Sequence, residues 1–545
     1  MKKIRYYAAV CVFRRTVLLS IAGASLCSAD IYVAQNTSGS NTGQDCTNAF
    51  PVSWFNNSGS WGAGNAQITP GTVVHLCGVI STNLTVQGSG ANGAPVTLRF
   101  EPNARLSQPA GGPFINMSNR SYIVVDGGTN GIIENTAAST TQQHVSSKAI
   151  LANPCANCEV KNLTIQNLYV HSGSGTEVEQ TQSNCIVYSG DNFTIHDNTM
   201  HDVGWCIYLQ GQGLNNRIYN NNVFNVDHAI ILSPTGKGVS AGPLYIYGNH
   251  IHDYANWDNA SNGYHHDGIH CYTVPSPYPQ PAGPPVAGAH WNDLWLYNNL
   301  FDGDIGQNVT GHIFLEPGVQ TDGYATPCMD STSRVHIFGN VLLNGTTLNG
   351  TIDLGRAQNS PLTVPVDFYN NTVIGASAAG GRAVVFENVQ SVNAVNNLLG
   401  GANKLWDGVS FANTDYNGYV NCSTSVSYNC WPVAGGTNNF NTWRSISGSD
   451  SNGVNSQNNF GGVNSATGAP GSGSVMLSAG SNLIAAVAGW PDEQRNALLT
   501  DRNGVSRGSG KWDIGALASG TAAPPPVPAT PVPPIAPSAL TAVSH

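Results

Sequence analysis

The sequence predicts an all-β chain folded as a right-handed parallel β-helix, a solenoid closed by N- and C-terminal caps. Apolar-alternating segments recur along it, each running into an asparagine: "LTIQNLYV", "FTIHDNTMHD", "RIYNNNVFN", "LYIYGNHIHD", "LWLYNNLFDG", "VHIFGNVLLN", "VDFYNNTVIG" and "VNAVNNLLGG". The aligned asparagines are Asn167, Asn198, Asn222, Asn249, Asn299, Asn340, Asn371 and Asn397, and their shortest step, 24 residues, is about one solenoid coil. The chain has only 10% charged residues and 62 glycines, yet is 41% hydrophobic. That mixture fits a rigid, turn-rich β protein better than a disordered one.

The elements follow in order. Lys2, Lys3, Arg5, Arg14 and Arg15 precede "TVLLSIAGASL" and "LCSA", so residues 1–29 read as a signal peptide cleaved after Ala29. Export to the periplasm or outside the cell follows from that reading. No later apolar run is long enough to span a membrane. The leader holds five of the 21 basic residues and none of the 31 acidic ones, leaving a mature chain near −15. Such a charge argues against nucleic acid as a partner. Residues 30–120 are expected to form an N-terminal cap and first strands, with "PGTVVHLCG" and "APVTLRFEPNA" as strands.

Residues 121–410 supply the coils. In each coil an alternating strand sends Ile195, Ile218, Ile246, Leu296 or Ile337 into a shared core, and the asparagine at the corner is expected to take left-handed geometry and join a ladder. A second strand follows in most coils: "WCIYLQG", "HAIILSP", "GIHCYT", "HIFLEPG", "TIDLGR", "RAVVFEN". Residues 411–518 are expected to cap the far end, and residues 519–545 form a Pro-rich tail. Ten of the 12 cysteines lie beyond the leader; proximity pairs Cys46 with Cys77, Cys155 with Cys158, and Cys422 with Cys430. Cys185, Cys206 and Cys271 read equally well as buried small residues.

The entry strand "SYIVVDGG", the asparagine coils, "TDYNGY" and the closing "DRNGVSRGSGKWDIGA" resemble secreted bacterial right-handed β-helix proteins of the pectate-lyase-like superfamily. The resemblance spans residues 30–518. It implies the fold, and an activity drawn from lyases, hydrolases, epimerases or noncatalytic surface proteins.

The candidate site is "YHHDGIHCY" at 264–272. Aligning the second strands on Ile207, Ile230, Ile269, Ile313 and Ile352 puts Tyr208, Ile231, His270, Phe314 and Asp353 in one column expected to be exposed. Two residues before each isoleucine stand Trp205, His228, Asp267, Gly311 and Gly350. His228, Asp267, His270, Glu316 and Asp353 then share a face, provided no extra coil fills the 50-residue step from Asn249 to Asn299. A glycoside hydrolase needs two carboxyl groups, here Asp267 with Glu316 or Asp353. A lyase acting on uronates needs a base, here His266 or His270, and a cation or arginine on the sugar carboxylate. Calcium held by Asp253 and Asp258, or Arg356, would serve. Trp257, Tyr264 and Tyr272, on or beside long insertions, are candidates for stacking on sugar rings. The triplet His265, His266 and His270 lacks a spacing diagnostic of zinc on a strand. The expectation is a monomeric polysaccharide-cleaving enzyme, lyase or hydrolase. Its alternative is a noncatalytic glycan-binding or structural rod.

Overall fold

A computed structural model describes residues 30–520, except 63–66, 110–111, 137–146, 169–182, 212, 235–239, 255–265, 272–289, 307–308, 316–327, 330–331, 345–349, 355–361, 376–380, 387–388, 409–410, 423–429, 432–436 and 438. The chain is a right-handed parallel β-helix. Among the described residues, one parallel sheet has 14 strands and a second has 22. Each coil contributes a strand to the first sheet, turns a corner, and lays down two further strands in the second. In the coils holding Thr199–Gln210 and Asn222–Ser233 the strand runs unbroken through the second corner, which merges the two remaining faces into one sheet.

Both registers expected from the sequence hold. Ile195, Ile218, Ile246, Leu296 and Ile337 lie side by side in the first sheet and are buried. Ile207, Ile230, Ile269, Ile313 and Ile352 do the same in the second. His228 pairs directly with Asp267, and Asn249 with Asn299, so no extra coil occupies the long step. Parallel strands buried on their inner face form one continuous apolar core along the solenoid.

The asparagine ladder differs from expectation in register. It runs Asn198, Asn221, Asn249, Asn299, Asn340, Asn371, Asn397, Asn417, each side-chain N–H donating to the next side-chain oxygen at 2.9–3.0 Å. Asn221, not Asn222, is the member in its coil; Asn222 Oδ1 instead accepts from His252 Nε2 at 3.0 Å. Asn167 is a turn residue with φ 59° outside the ladder. Nor do the ladder residues take the left-handed conformation. The residue before each one does: Asp197, Asn220, Gly248, Asn298, Gly339, Asn370, Asn396 and Tyr416 have φ between 49° and 66°. That kink turns the following asparagine inward, where its amide also donates to a backbone carbonyl on the first-sheet strand of the preceding coil, as Asn371 does to Ile337. Asp450 ends the ladder, accepting from the backbone and side chain of Asn417.

The N-terminal strand Ile31–Ala34 pairs with Val73–Cys77. At the other end, Trp431, Phe440 and Trp443, the last two on a helix at Phe440–Ser447, pack on Tyr419 and close the core. Downstream of it the chain turns back along the flank of the first sheet. Trp490 packs on Trp295 and Phe338, and the helix Asp492–Leu499 places Glu493 on Arg217 at 2.5 Å. Disulfides join Cys46–Cys77, Cys155–Cys158 and Cys422–Cys430, as expected. Cys271 bonds Cys328, and Cys185 and Cys206 are buried thiols on adjacent coils.

Candidate active site

The site forms where three consecutive coils turn their second corner. Asp202, Asn225 and Asp253 occupy that corner with φ of 55°, 50° and 45°. Three residues beyond the first two stand Trp205 and His228. In the third coil, an insertion separates Asp253 from the strand His266–Cys271, which brings Asp267 into the matching position. Asp267 and His270 thereby meet the pair Asp227–His228 of the preceding coil.

Asp227 Oδ2 accepts from Nδ1 of His228 at 2.6 Å and from the indole N–H of Trp205 at 3.1 Å. On the other side of the ring, Nε2 of His228 lies 3.2 Å from Asp267 Oδ2 and 3.1 Å from His270 Nδ1. His270 Nδ1 is 3.3 Å from the same Asp267 oxygen. The other Asp267 oxygen accepts the Gly311 backbone N–H at 3.0 Å. His266 Nδ1 approaches Asp227 Oδ1 at 3.4 Å. Rings flank the group on both sides, Trp205 against His228 and Phe314 against His270.

Burial disfavours charge on His228, but Asp227 and Asp267 outweigh it and push its pKa up to about 10. Burial dominates at His266 and holds it below the usual histidine range. Close by, His312 donates from Nε2 to the Leu343 carbonyl, so its Nδ1 accepts the Tyr254 hydroxyl at 2.9 Å. Burial pushes its pKa down to about 4.

Of the residues singled out in the sequence, Asp267, His266 and His270 are brought together. The column on their strand is not exposed as expected: Ile231, His270, Phe314 and Asp353 are all buried. Asp353 shares the column but lies two rungs from His270, with Phe314 between them. At about 4.8 Å per rung it is out of contact. Asp253 serves the corner, accepting the Asp304 N–H at 2.7 Å and pairing with His252 at 2.7 Å. Glu316, Trp257, Tyr264, Tyr272, Arg356 and Asp258 lie outside the described residues. Sequence reasoning placed His228 on the shared face and missed Asp227. The signal was the Asp-His dipeptide at 227–228, one register step from the His-rich strand.

No family model matches this chain, and no curated protein does. Among solved structures it is similar to the GH136 lacto-N-biosidase from Eubacterium ramulus, at 10% identity and TM-score 0.40 over 72% of this chain and 64% of that one. The chain thus spans less than two thirds of that enzyme. A family 28 exopolygalacturonase from Yersinia enterocolitica matches at 14% identity and TM-score 0.34, over 63% of this chain and 70% of that one. An alginate lyase from Paenibacillus sp. str. FPU-7 matches at 14% identity and TM-score 0.21, over 44% and 94%. No inference about this chain's chemistry follows from likenesses this distant.

Proposed function

We propose that this chain is an exported, monomeric, carbohydrate-active member of the pectate-lyase-like superfamily that cleaves an extracellular polysaccharide on its middle coils. The observation that carries the reading is the Asp227–His228 pair, whose opposite ring edge meets Asp267 and His270. A carboxylate on Nδ1 fixes the ring and stabilises its charged form, which equips the opposite nitrogen for proton transfer. Of the carboxyl partners considered for Asp267, Asp353 stands behind Phe314, and on that ground we favour elimination from a uronate over hydrolysis by the Asp267–Asp353 pair. Four disulfides support export. Trp257, Tyr264, Tyr272 and Arg356 complete the proposal as sugar contacts.

The purified mature protein, offered a panel of uronate and neutral polysaccharides, is expected to release products with the ultraviolet absorbance of unsaturated ends. Reducing ends without that absorbance would indicate a hydrolase. No turnover of any polymer, with His228→Gln binding glycans like the wild type, would remove the enzyme reading. The complete burial of Asp267 and His266 favours the second reading, a noncatalytic glycan-binding or structural rod.

A further inference from the structure

We infer that His228, Asp267 and His270 form a binding site for one divalent transition-metal ion of the zinc type. The inference concerns the centre proposed above and rests on that reading for its catalytic role, while metal binding itself is measured independently.

The geometry points to it directly. His228 Nε2, His270 Nδ1 and Asp267 Oδ2 form a nearly equilateral triangle with edges of 3.1, 3.2 and 3.3 Å. Zinc holds nitrogen and oxygen ligands at about 2.0–2.1 Å, and tetrahedral angles then separate any two ligands by about 3.3 Å. An ion just above the triangle would lie within bonding distance of all three atoms.

The surroundings are those of a metal site. His228 turns its other nitrogen to Asp227 at 2.6 Å, the carboxylate–histidine arrangement that fixes ring orientation and raises ligand basicity. Asp227 is itself held by Trp205, and the second oxygen of Asp267 by Gly311 N–H. All three ligands come from strands rather than from exposed turns, and all are at least nine-tenths buried. Two imidazoles among three donors select against calcium, which takes six to eight oxygens. With a metal bound, His228 would serve as a ligand through Nε2, and the ion would supply Lewis-acid chemistry to a group at its open position.

The test uses the full mature chain, stripped with chelator and titrated with Co²⁺ and then Zn²⁺. The expected result is one ion per chain by elemental analysis, and for Co²⁺ the intense visible bands of a four-coordinate site. Asp267→Asn and His270→Gln are each expected to weaken binding at least 100-fold, and Asp227→Asn by about 10–100-fold. Asp353→Asn, two rungs away, is expected to bind like the wild type. The wild-type spectrum does not depend on any variant folding: weak six-coordinate bands, or no bound ion, would overturn the inference. Retained binding in folded Asp267→Asn and His270→Gln would overturn it as well. Metal bound without polysaccharide cleavage leaves the site standing and removes the enzyme reading. Cleavage by a metal-free chain leaves the enzyme reading standing and removes the metal's part in it, while the site itself stands or falls on the titration.

Discussion

Asp227 lies 2.6 Å from Nδ1 of its sequence neighbour His228, while Nε2 of the same ring lies 3.2 Å from Asp267 on the next coil. One buried imidazole thus bridges two carboxylates, one contributed locally and the other by a residue 39 positions away. Removing either carboxylate leaves the ring's charge incompletely compensated in a buried site.

Asp227→Asn keeps the shape but removes the carboxylate that orients His228. Turnover is expected to fall by about 10²–10⁴-fold, the range for loss of a positioned acid–base group. Circular dichroism of the variant should remain that of the wild type. Turnover within a few-fold of wild type would show that the pair is structural.

The ladder register gives a paired test. Asn221→Ala removes an acceptor for the Asn198 side chain and a donor to both Asn249 and the Ile195 carbonyl, all buried. Stranded buried polar groups cost about 1–3 kcal/mol each, so a loss of several kcal/mol is expected. Asn222→Ala loses one partly buried contact, to His252, and should cost about 1 kcal/mol or less. Thermal melting of the two variants decides between the registers: the larger drop belongs to Asn221.

Asp450 ends the ladder in a buried position beside Tyr419 and Asn417. Burial, against the pull of those hydrogen bonds, raises its pKa from 3.8 to about 6. A carboxyl whose pKa is higher folded than unfolded stabilises the fold fully below pH 3.8 and loses that contribution as pH rises through about 6. The contribution is roughly 3 kcal/mol. Asp450→Asn keeps an acceptor for Asn417 but does not titrate. Its unfolding free energy, measured in urea from pH 4 to 7.5, should lack the fall that the wild type shows over that window.

The Cys271–Cys328 disulfide closes a 57-residue separation immediately after His270. Chain-entropy reasoning assigns about 4 kcal/mol to a loop of that size. Replacing both cysteines by serine is expected to lower the melting temperature more than the same change at Cys422 and Cys430, which span 8 residues. Equal shifts would argue that the longer bridge constrains little.

Much of this molecule was legible in the sequence. Apolar alternation and the recurring asparagine fixed the inward residues of both strand sets, because a parallel stack repeats its core position coil after coil. The same periodicity put Ile230, Ile269 and Ile313 in register, and with them His228 and Asp267. Choosing between Asn221 and Asn222 was beyond it. In "YNNN" three adjacent asparagines fit the pattern, and the choice depends on which residue absorbs the positive φ, here Asn220.

By itself, then, the sequence determined a β-helix, its strand registry and the coils on which His228, Asp267 and His270 gather, because those follow from periodicity and strand polarity. The tertiary structure decided which polar atoms meet. It set His270 beside His228 while stacked on Phe314, and placed Asp227 on the other nitrogen of the His228 ring. It also buried a column that alternation alone would expose, and left Asp353 two rungs away. Alternation specifies the face a side chain leaves from. Where it ends depends on corner geometry and on the neighbouring coil, which are set by contacts distant in sequence.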